Sequence, residues 1–209
     1  CGFWDDKINP YPRRLGLPLS APDLPVPELP AEPRRDLTAL PAFAIDDAGT
    51  ENPDDALSLD GERLWVHVAD PAAFVHPESA LDLEARGRGM TLHLPEGAVH
   101  FFPTEMIRAL GLGLQSRSPA LSFGIDLDEE GGIRAVEIVP SWTRVERLSY
   151  EEALGRMDEP LFARLEEKMT LRRRLREKNG AIGIDLPEAK IKVHGDEVEI
   201  HPILPLRSR

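Results

Sequence analysis

The sequence predicts an α+β fold of mostly antiparallel strands and hairpins with a few helices. Short runs rich in aliphatic and β-branched residues alternate with the turn signals Asp60-Gly61, Asp128–Gly132 and Gly195-Asp196, which place hairpins. Helical segments are few and are not interleaved one per strand, so there is no βαβ rhythm. No internal repeat organises the chain.

Residues 1–41 hold nine of the 20 prolines and read as an extended Pro-rich linker or surface strap, a spacing that forbids helix, with Phe3 and Trp4 as anchors. A globular pattern occupies 42–209. Phe43–Asp46 is expected to be a short strand. Ala56–Leu59 and Arg63–Ala69 pair across Asp60-Gly61, and Asp70-Pro71 ends the second strand. The aliphatic and aromatic content of Arg63–Ala69 marks a buried strand, and His67 within it reads as a hydrogen-bonded core histidine rather than a ligand. A helix runs from Ser79 to about Arg86, with Asp82 and Glu84 in its early turns and Gly87 and Gly89 closing it.

Met90–Pro95 and Val99–Phe102 are short extended pieces, after which Thr104 caps a brief helix, Glu105–Leu110. Ala120–Leu127 and Ile133–Val139 form a second hairpin, with strand character continuing to Val145. Ser149 and Glu152 make a capping box for a helix through Met157. Pro160 opens a longer helix, with Leu161, Leu165, Leu171 and Leu175 toward one side, that stops at Asn179-Gly180. Ile191–Val193 and Val198–Ile200 form a third hairpin around Gly195-Asp196.

At 209 residues, 41% hydrophobic and 30% charged, the chain has a soluble composition and length for one good-sized core. No apolar run approaches the ~20 residues that span a bilayer, and the first residues are not a secretory signal. The only cysteine is Cys1, which excludes an internal disulfide and a thiolate zinc site and fits a reducing cytoplasm. With no initiator Met and a last stretch, Ile203–Arg207, that reads as an element cut short, the chain is expected to be a piece of a longer protein.

The net charge of −12 argues against capture of nucleic acid by a basic face. It does not argue against a nuclease, because bound cations invert the charge met by a phosphate. The chain has no phosphate-binding glycine loop, no EF-hand and no HExxH, and His93, His100 and His201 lack metal-ligand spacing. The stretch Arg172-Arg173-Arg174-Leu175-Arg176 follows Glu166 and Glu167 on a helix and reads as a solvated, salt-bridged face.

What remains as a chemical site is the acidic loop Ala44-Ile45-Asp46-Asp47-Ala48-Gly49-Thr50-Glu51-Asn52-Pro53-Asp54-Asp55-Ala56. Two readings are open from the residues alone. A solvated surface loop carries such charge at little cost. Alternatively, the carboxylates are gathered around a divalent cation such as Mg²⁺, which takes hard oxygens from one or two carboxylates, waters and substrate phosphates.

The run Ile45-Asp46 … Thr50-Glu51-Asn52-Pro53-Asp54-Asp55-Ala56, followed by Val66-His67-Val68-Ala69-Asp70-Pro71 and Phe74-Val75, closely resembles the RNase II family. It is similar to the N-terminal part of that family's catalytic RNB domain, from about Pro41 through Glu152 and more loosely to Arg209. Phe102-Pro103 and Arg147-Leu148-Ser149-Tyr150 belong to the same resemblance. The resemblance implies a 3′→5′ exoribonuclease that hydrolyses single-stranded RNA to nucleoside 5′-monophosphates. It further implies Mg²⁺ held by Asp46 and Asp55 with Asn52 beside them, Asp54 as the carboxylate most needed for turnover, and His93 and Tyr150 as RNA contacts. Two positions depart from the family pattern: Asn52 stands where a fourth aspartate is usual, and His93 where a base-stacking tyrosine is common. The implied partners are single-stranded RNA, the remaining half of the catalytic domain and flanking RNA-binding domains.

Overall fold

Period-two alternation of small and large side chains sorts the strand residues onto the two faces of one seven-stranded sheet. The computed structural model describes residues 9–94, 97–183, 188–194 and 197–203. The chain opens with α1 (Pro10–Arg14), β1 (Arg35–Asp36), β2 (Ala42–Asp46), β3 (Asp55–Asp60) and β4 (Arg63–Ala69). A 3₁₀ turn (Pro71–Ala73) leads to α2 (Ala80–Arg88), β5 (Leu92–Leu94), β6 (Gly97–Val99) and α3 (Thr104–Leu110). There follow β7 (Ser118–Leu127), β8 (Ile133–Thr143), β9 (Val145–Ser149), α4 (Tyr150–Gly155) and α5 (Pro160–Lys178). The last strands are β10 (Glu188–His194) and β11 (Glu197–Ile203).

The elements fall into two compact units. The larger comprises Glu28–Phe74, Ile107–Ile184 and Pro205–Arg209 and holds the main sheet, in the order β1-β8-β7-β4-β3-β2-β9. Its four central pairings are antiparallel, whereas β1 runs parallel to β8 and β9 parallel to β2. The sheet is therefore mixed. One residue, Arg144, separates β8, which pairs near one edge, from β9, which forms the other. Burial at Ser141, Thr143 and Val145 keeps its alternation through that junction. A strand that serves both ends of its own sheet requires the sheet to curl toward closure.

The curl explains the composition of the inner face. Ala42, Ala44, Ala56, Ala120, Val145 and Leu112 pack there with Ala69 against them. Small side chains are what a tightly curved interior accepts. Buried among the same strands is a polar chain: His67 Nε2 meets Ser58 Oγ at 2.8 Å, its Nδ1 meets Ser122 Oγ at 2.7 Å, and Ser122 Oγ lies 2.6 Å from Ser141 Oγ. The imidazole is a satisfied core group, as its strand context suggests, and burial lowers its pKa to about 4. The buried Trp65 needs Gly124 opposite it, where an added Cβ would lie 2.8 Å from the indole ring.

The outer face is covered by helices. Phe43 and Leu148 pack with Ala153, Met157 and Phe162, the Phe43 and Phe162 rings 4.8 Å apart. Leu59 and Leu64 pack on Leu165, with Leu57, Val66 and Met169 alongside. Burying side chains of this size contributes about 1.5–3 kcal/mol each. The capping box is present, Ser149 Oγ accepting from Glu152 N–H and the Glu152 carboxylate from Ser149 N–H, although α4 ends at Gly155 rather than Met157. In α5 the basic residues Arg164 and Lys168 bind Glu62 in the β3–β4 turn, and Arg172 donates to the Gly131 carbonyl at 2.8 Å.

The Pro-rich stretch departs from expectation twice. Pro10 and Pro12 lie in the first turn of α1, where an amide proton has no intrahelical partner and proline is tolerated; Asn9 caps it by accepting from Tyr11 N–H. Arg35–Asp36 also joins the sheet. Just before it, the buried Arg34 guanidinium binds Asp70 at 2.9 Å and the Ala120 carbonyl at 3.3 Å.

The smaller unit comprises Cys1–Pro27, Val75–Met106 and Asp185–Leu204. It contains α2, capped by Ser79 and ended by Gly89, and two hairpins, β5–β6 and β10–β11. Phe3, Trp4, the Gly195-Asp196 turn and Leu204–Arg207 lie outside the described residues. Among those described, no helix is long and apolar enough to cross a membrane.

Candidate active site

The acidic loop is the connection from β2 to β3 at one rim of the curled sheet. Strand β2 ends at Asp46, which registers with Ser149 of β9, and β3 begins at Asp55, which registers with Val68 of β4. By alternation from Ala42 and Ala44, Asp46 belongs to the inner face. Asp54 belongs to the face of Ala56, and Asp55 to that of Leu57 and Leu59, so the adjacent pair diverges.

The loop between these strands is held by its backbone. Asp47 to Thr50 forms a turn in which Thr50 N–H (3.1 Å) and Oγ1 (3.0 Å) both donate to the Asp47 carbonyl. Gly49 takes the positive φ of 86° that this turn requires. Further on, the Pro53 carbonyl accepts from Leu112 N–H and the Asp54 carbonyl from Ala69 N–H, each at 2.8 Å. Arg147 donates to the Thr50 carbonyl, and Asp46 Oδ1 accepts from Asp47 N–H at 2.8 Å. Asp46, Asp47, Thr50, Arg147, Ser149 and Glu152 line an open cavity of about 400 Å³ beside the loop.

Electrostatics ties the carboxylates together. The Asp55 carboxyl is raised above its ordinary value, first by desolvation and then by the negative charges of Asp54 and Asp46. Asp54 and Asp55 are exposed, whereas Asp46 and Asn52 are half-buried. Among the described residues, no group of three or more His, Cys, Asp or Glu side chains is placed to hold a metal ion by itself. The donor set is therefore hard oxygen, mutually repelling and incomplete. Mg²⁺ matches such a set, since it keeps several waters and completes its shell with substrate phosphates.

Tyr150 is the first residue of α4, directly after the Ser149 that registers with Asp46. His93 lies in the smaller unit, on β5 opposite Ala98, with its side chain exposed. Arg147 and the Gly111–Gly113 segment contact the loop without having been singled out by sequence. In sequence Arg147 falls within the Arg147-Leu148-Ser149-Tyr150 run with no role attached, and nothing local ties Gly111 or Gly113 to the acidic loop.

A sequence profile described as the RNB domain matches residues 34–208. An uncharacterized ribonuclease of Synechocystis is 40% identical over 94% of this chain and 33% of its own length. Ribonuclease R of Aquifex aeolicus is 32% identical over 91% of this chain and 31% of its own length. The chain thus spans about a third of the length of these two relatives. Among solved structures, apo RNase R of Mycoplasma genitalium superposes with a TM-score of 0.75 at 22% identity, covering 84% of this chain and 30% of that one. Yeast Ssd1, described as a pseudonuclease, superposes with a TM-score of 0.62 at 23% identity over 72% of this chain and 20% of its own.

Proposed function

The chain belongs to the RNB-domain family, and from that premise we propose that it forms part of a 3′→5′ exoribonuclease that hydrolyses single-stranded RNA to nucleoside 5′-monophosphates. The observation that carries the proposal is the gathering of Asp46, Asp54 and Asp55 at one sheet rim, where desolvation first, and then the charges of Asp54 and Asp46, raise the Asp55 carboxyl. Those charges are costly to keep together in a protein with no use for a cation.

Asp46, Asp55 and the Asn52 amide oxygen would hold Mg²⁺. When bound, the metal supplies positive charge against the scissile phosphate and acidifies water. Asp54, exposed and turned from Asp55 by the strand alternation, orients the attacking water and accepts its proton. Water adds to phosphorus, the bond from phosphorus to the upstream 3′ oxygen breaks, that oxygen takes up a proton from solvent to become the new 3′ hydroxyl, and the terminal residue leaves as a 5′-monophosphate. His93 offers an exposed ring to a base, a stacking contact of about 1–3 kcal/mol for aromatic side chains. Tyr150 offers a second RNA contact beside the rim. The net charge of −12 leaves most phosphate binding to other parts of the protein.

A second reading, a non-hydrolytic RNA-binding or scaffold relative, draws on Asn52, which lowers the charge of the donor set. The fold does not separate the two, since a pseudonuclease shares it. Activity does. The intact natural protein, given Mg²⁺ and 5′-labelled single-stranded RNA, is expected to shorten it stepwise with release of mononucleotides. Asp54→Asn is expected to lower that rate by about 10³-fold or more, with RNA affinity within about threefold. Binding without metal-stimulated shortening would establish the second reading instead.

A further inference from the structure

We propose that Arg147, seated against Gly113, is a positioning residue that clasps the acidic loop and fixes the direction in which Asn52 and Asp54 are presented; its link to catalysis rests on the function proposed above. The inference comes from how the loop is held on either side of Glu51-Asn52. On one side, the Arg147 guanidinium donates to the Thr50 carbonyl. On the other, Leu112 N–H donates to the Pro53 carbonyl at 2.8 Å. Both holds come from a single buttress.

That buttress is built for the purpose in three respects. Arg147 registers with Ala44 in the parallel β9–β2 pairing, so the neighbouring side chain on that face is a methyl group. Gly113 has a φ of 81°, and a Cβ there would lie 2.7 Å from the Val145 carbonyl oxygen and 2.9 Å from Arg147 Cγ. The arginine stem therefore occupies the space that any larger residue at 113 would need. The segment carrying Gly113 is itself anchored, because the buried Ser118 Oγ accepts from Gly113 N–H at 3.1 Å and donates to the Gly111 carbonyl at 3.3 Å.

The physical need for a clasp follows from the charges. Asp46, Asp54 and Asp55 carry like charges at the two ends of one short connection between β2 and β3, and a free loop between two strand ends would relax by spreading them. A fixed guanidinium fork opposes that opening and places one positive charge beside the cluster. Lysine at this position keeps the charge but loses the fork, so it is a partial substitute.

Hydrogen exchange of the intact natural protein in metal-free buffer tests the clasp without reference to catalysis. In Arg147→Ala, amides of residues 48–52 are expected to exchange about tenfold faster, with Arg147→Lys intermediate and exchange in β7 and β8 unchanged. The Mg²⁺ concentration for half-maximal hydrolysis should rise about tenfold in Arg147→Ala, while metal-free affinity for single-stranded RNA stays within about twofold. Unchanged exchange across 48–52 overturns the clasp. So does a loss of RNA affinity with a shallower salt dependence and an unaltered loop, which would make Arg147 a phosphate contact. If the unmodified protein hydrolyses no RNA, the proposed function falls, and the exchange comparison still decides the clasp.

Discussion

Asn52 brings a neutral amide oxygen to a loop whose other donors are charged, and that single exchange sets an expected metal requirement. Restoring the carboxylate in Asn52→Asp should lower the Mg²⁺ concentration for half-maximal rate by about threefold or more, since charge count is a main determinant of affinity at such sites. A titration of rate against Mg²⁺ that superposes on the unmodified curve would remove position 52 from the metal shell. His67 makes a different prediction. Its folded pKa is about 4, against an unfolded value of about 6.5, so below pH 6.5 the unfolded chain takes up a proton that the folded chain refuses. Stability is full above pH 6.5 and is lost as pH falls toward 4, by about 3 kcal/mol in all. Urea unfolding at pH 7 and pH 4.5 measures this, with His67→Gln as the reference for the carboxylates that titrate in the same range. Equal losses in the two proteins would refute the assignment. His67 was legible in the sequence because a histidine inside an apolar strand must find partners there. The partners, Ser58 and Ser122, were not, because they lie on two other strands.

Among the elements, the hairpins were the most readable, since Asp60-Gly61 and the Asp128–Gly132 turn announce themselves locally. The pairing of β2 with β9 was not readable. It joins Ala42 to Val145 in a parallel register, and no turn residue marks a contact between segments so distant in sequence. The short helix at Pro10–Arg14 is hidden for the opposite reason, that proline breaks a helix in its interior but is tolerated in the first turn. Element packing gives a direct test at the β4–β7 pairing. Gly124→Ala would drive a methyl group to within 2.8 Å of the Trp65 ring, and the overpacking should cost about 1–3 kcal/mol. The midpoint of urea unfolding, followed by tryptophan fluorescence, reports it. An unshifted midpoint would mean that the indole moves aside freely.

For the molecule as a whole, the Pro-rich stretch is less separate than its composition suggests. Arg34 keeps only 1% of its side chain exposed while binding Asp70, itself 12% exposed. Removing one member leaves a buried charge unpaired, so Arg34→Ala should cost about 3–5 kcal/mol, read from chemical denaturation. A loss under ~1 kcal/mol, the worth of a surface pair, would show that the segment merely rests on the sheet. The same scale explains why the curl was missed: no residue encodes closure, which comes from β8 and β9 being nearly one strand shared between two edges. That continuity has a consequence for the acidic rim. Because only Arg144 intervenes, the phase of β9 against β2 is inherited from the phase of β8 against β7, whose irregularity sits at Asp126/Leu127 at the far end of that hairpin. That irregularity lies on the turn side of every pair from Asp126 with Ala135 to Ser118 with Thr143 and leaves the phase at the junction untouched. Deleting Arg144, by contrast, would shift Ser149 off Asp46 and turn Arg147 outward, so a miscount of one residue between the two strands would be read out at the acidic rim.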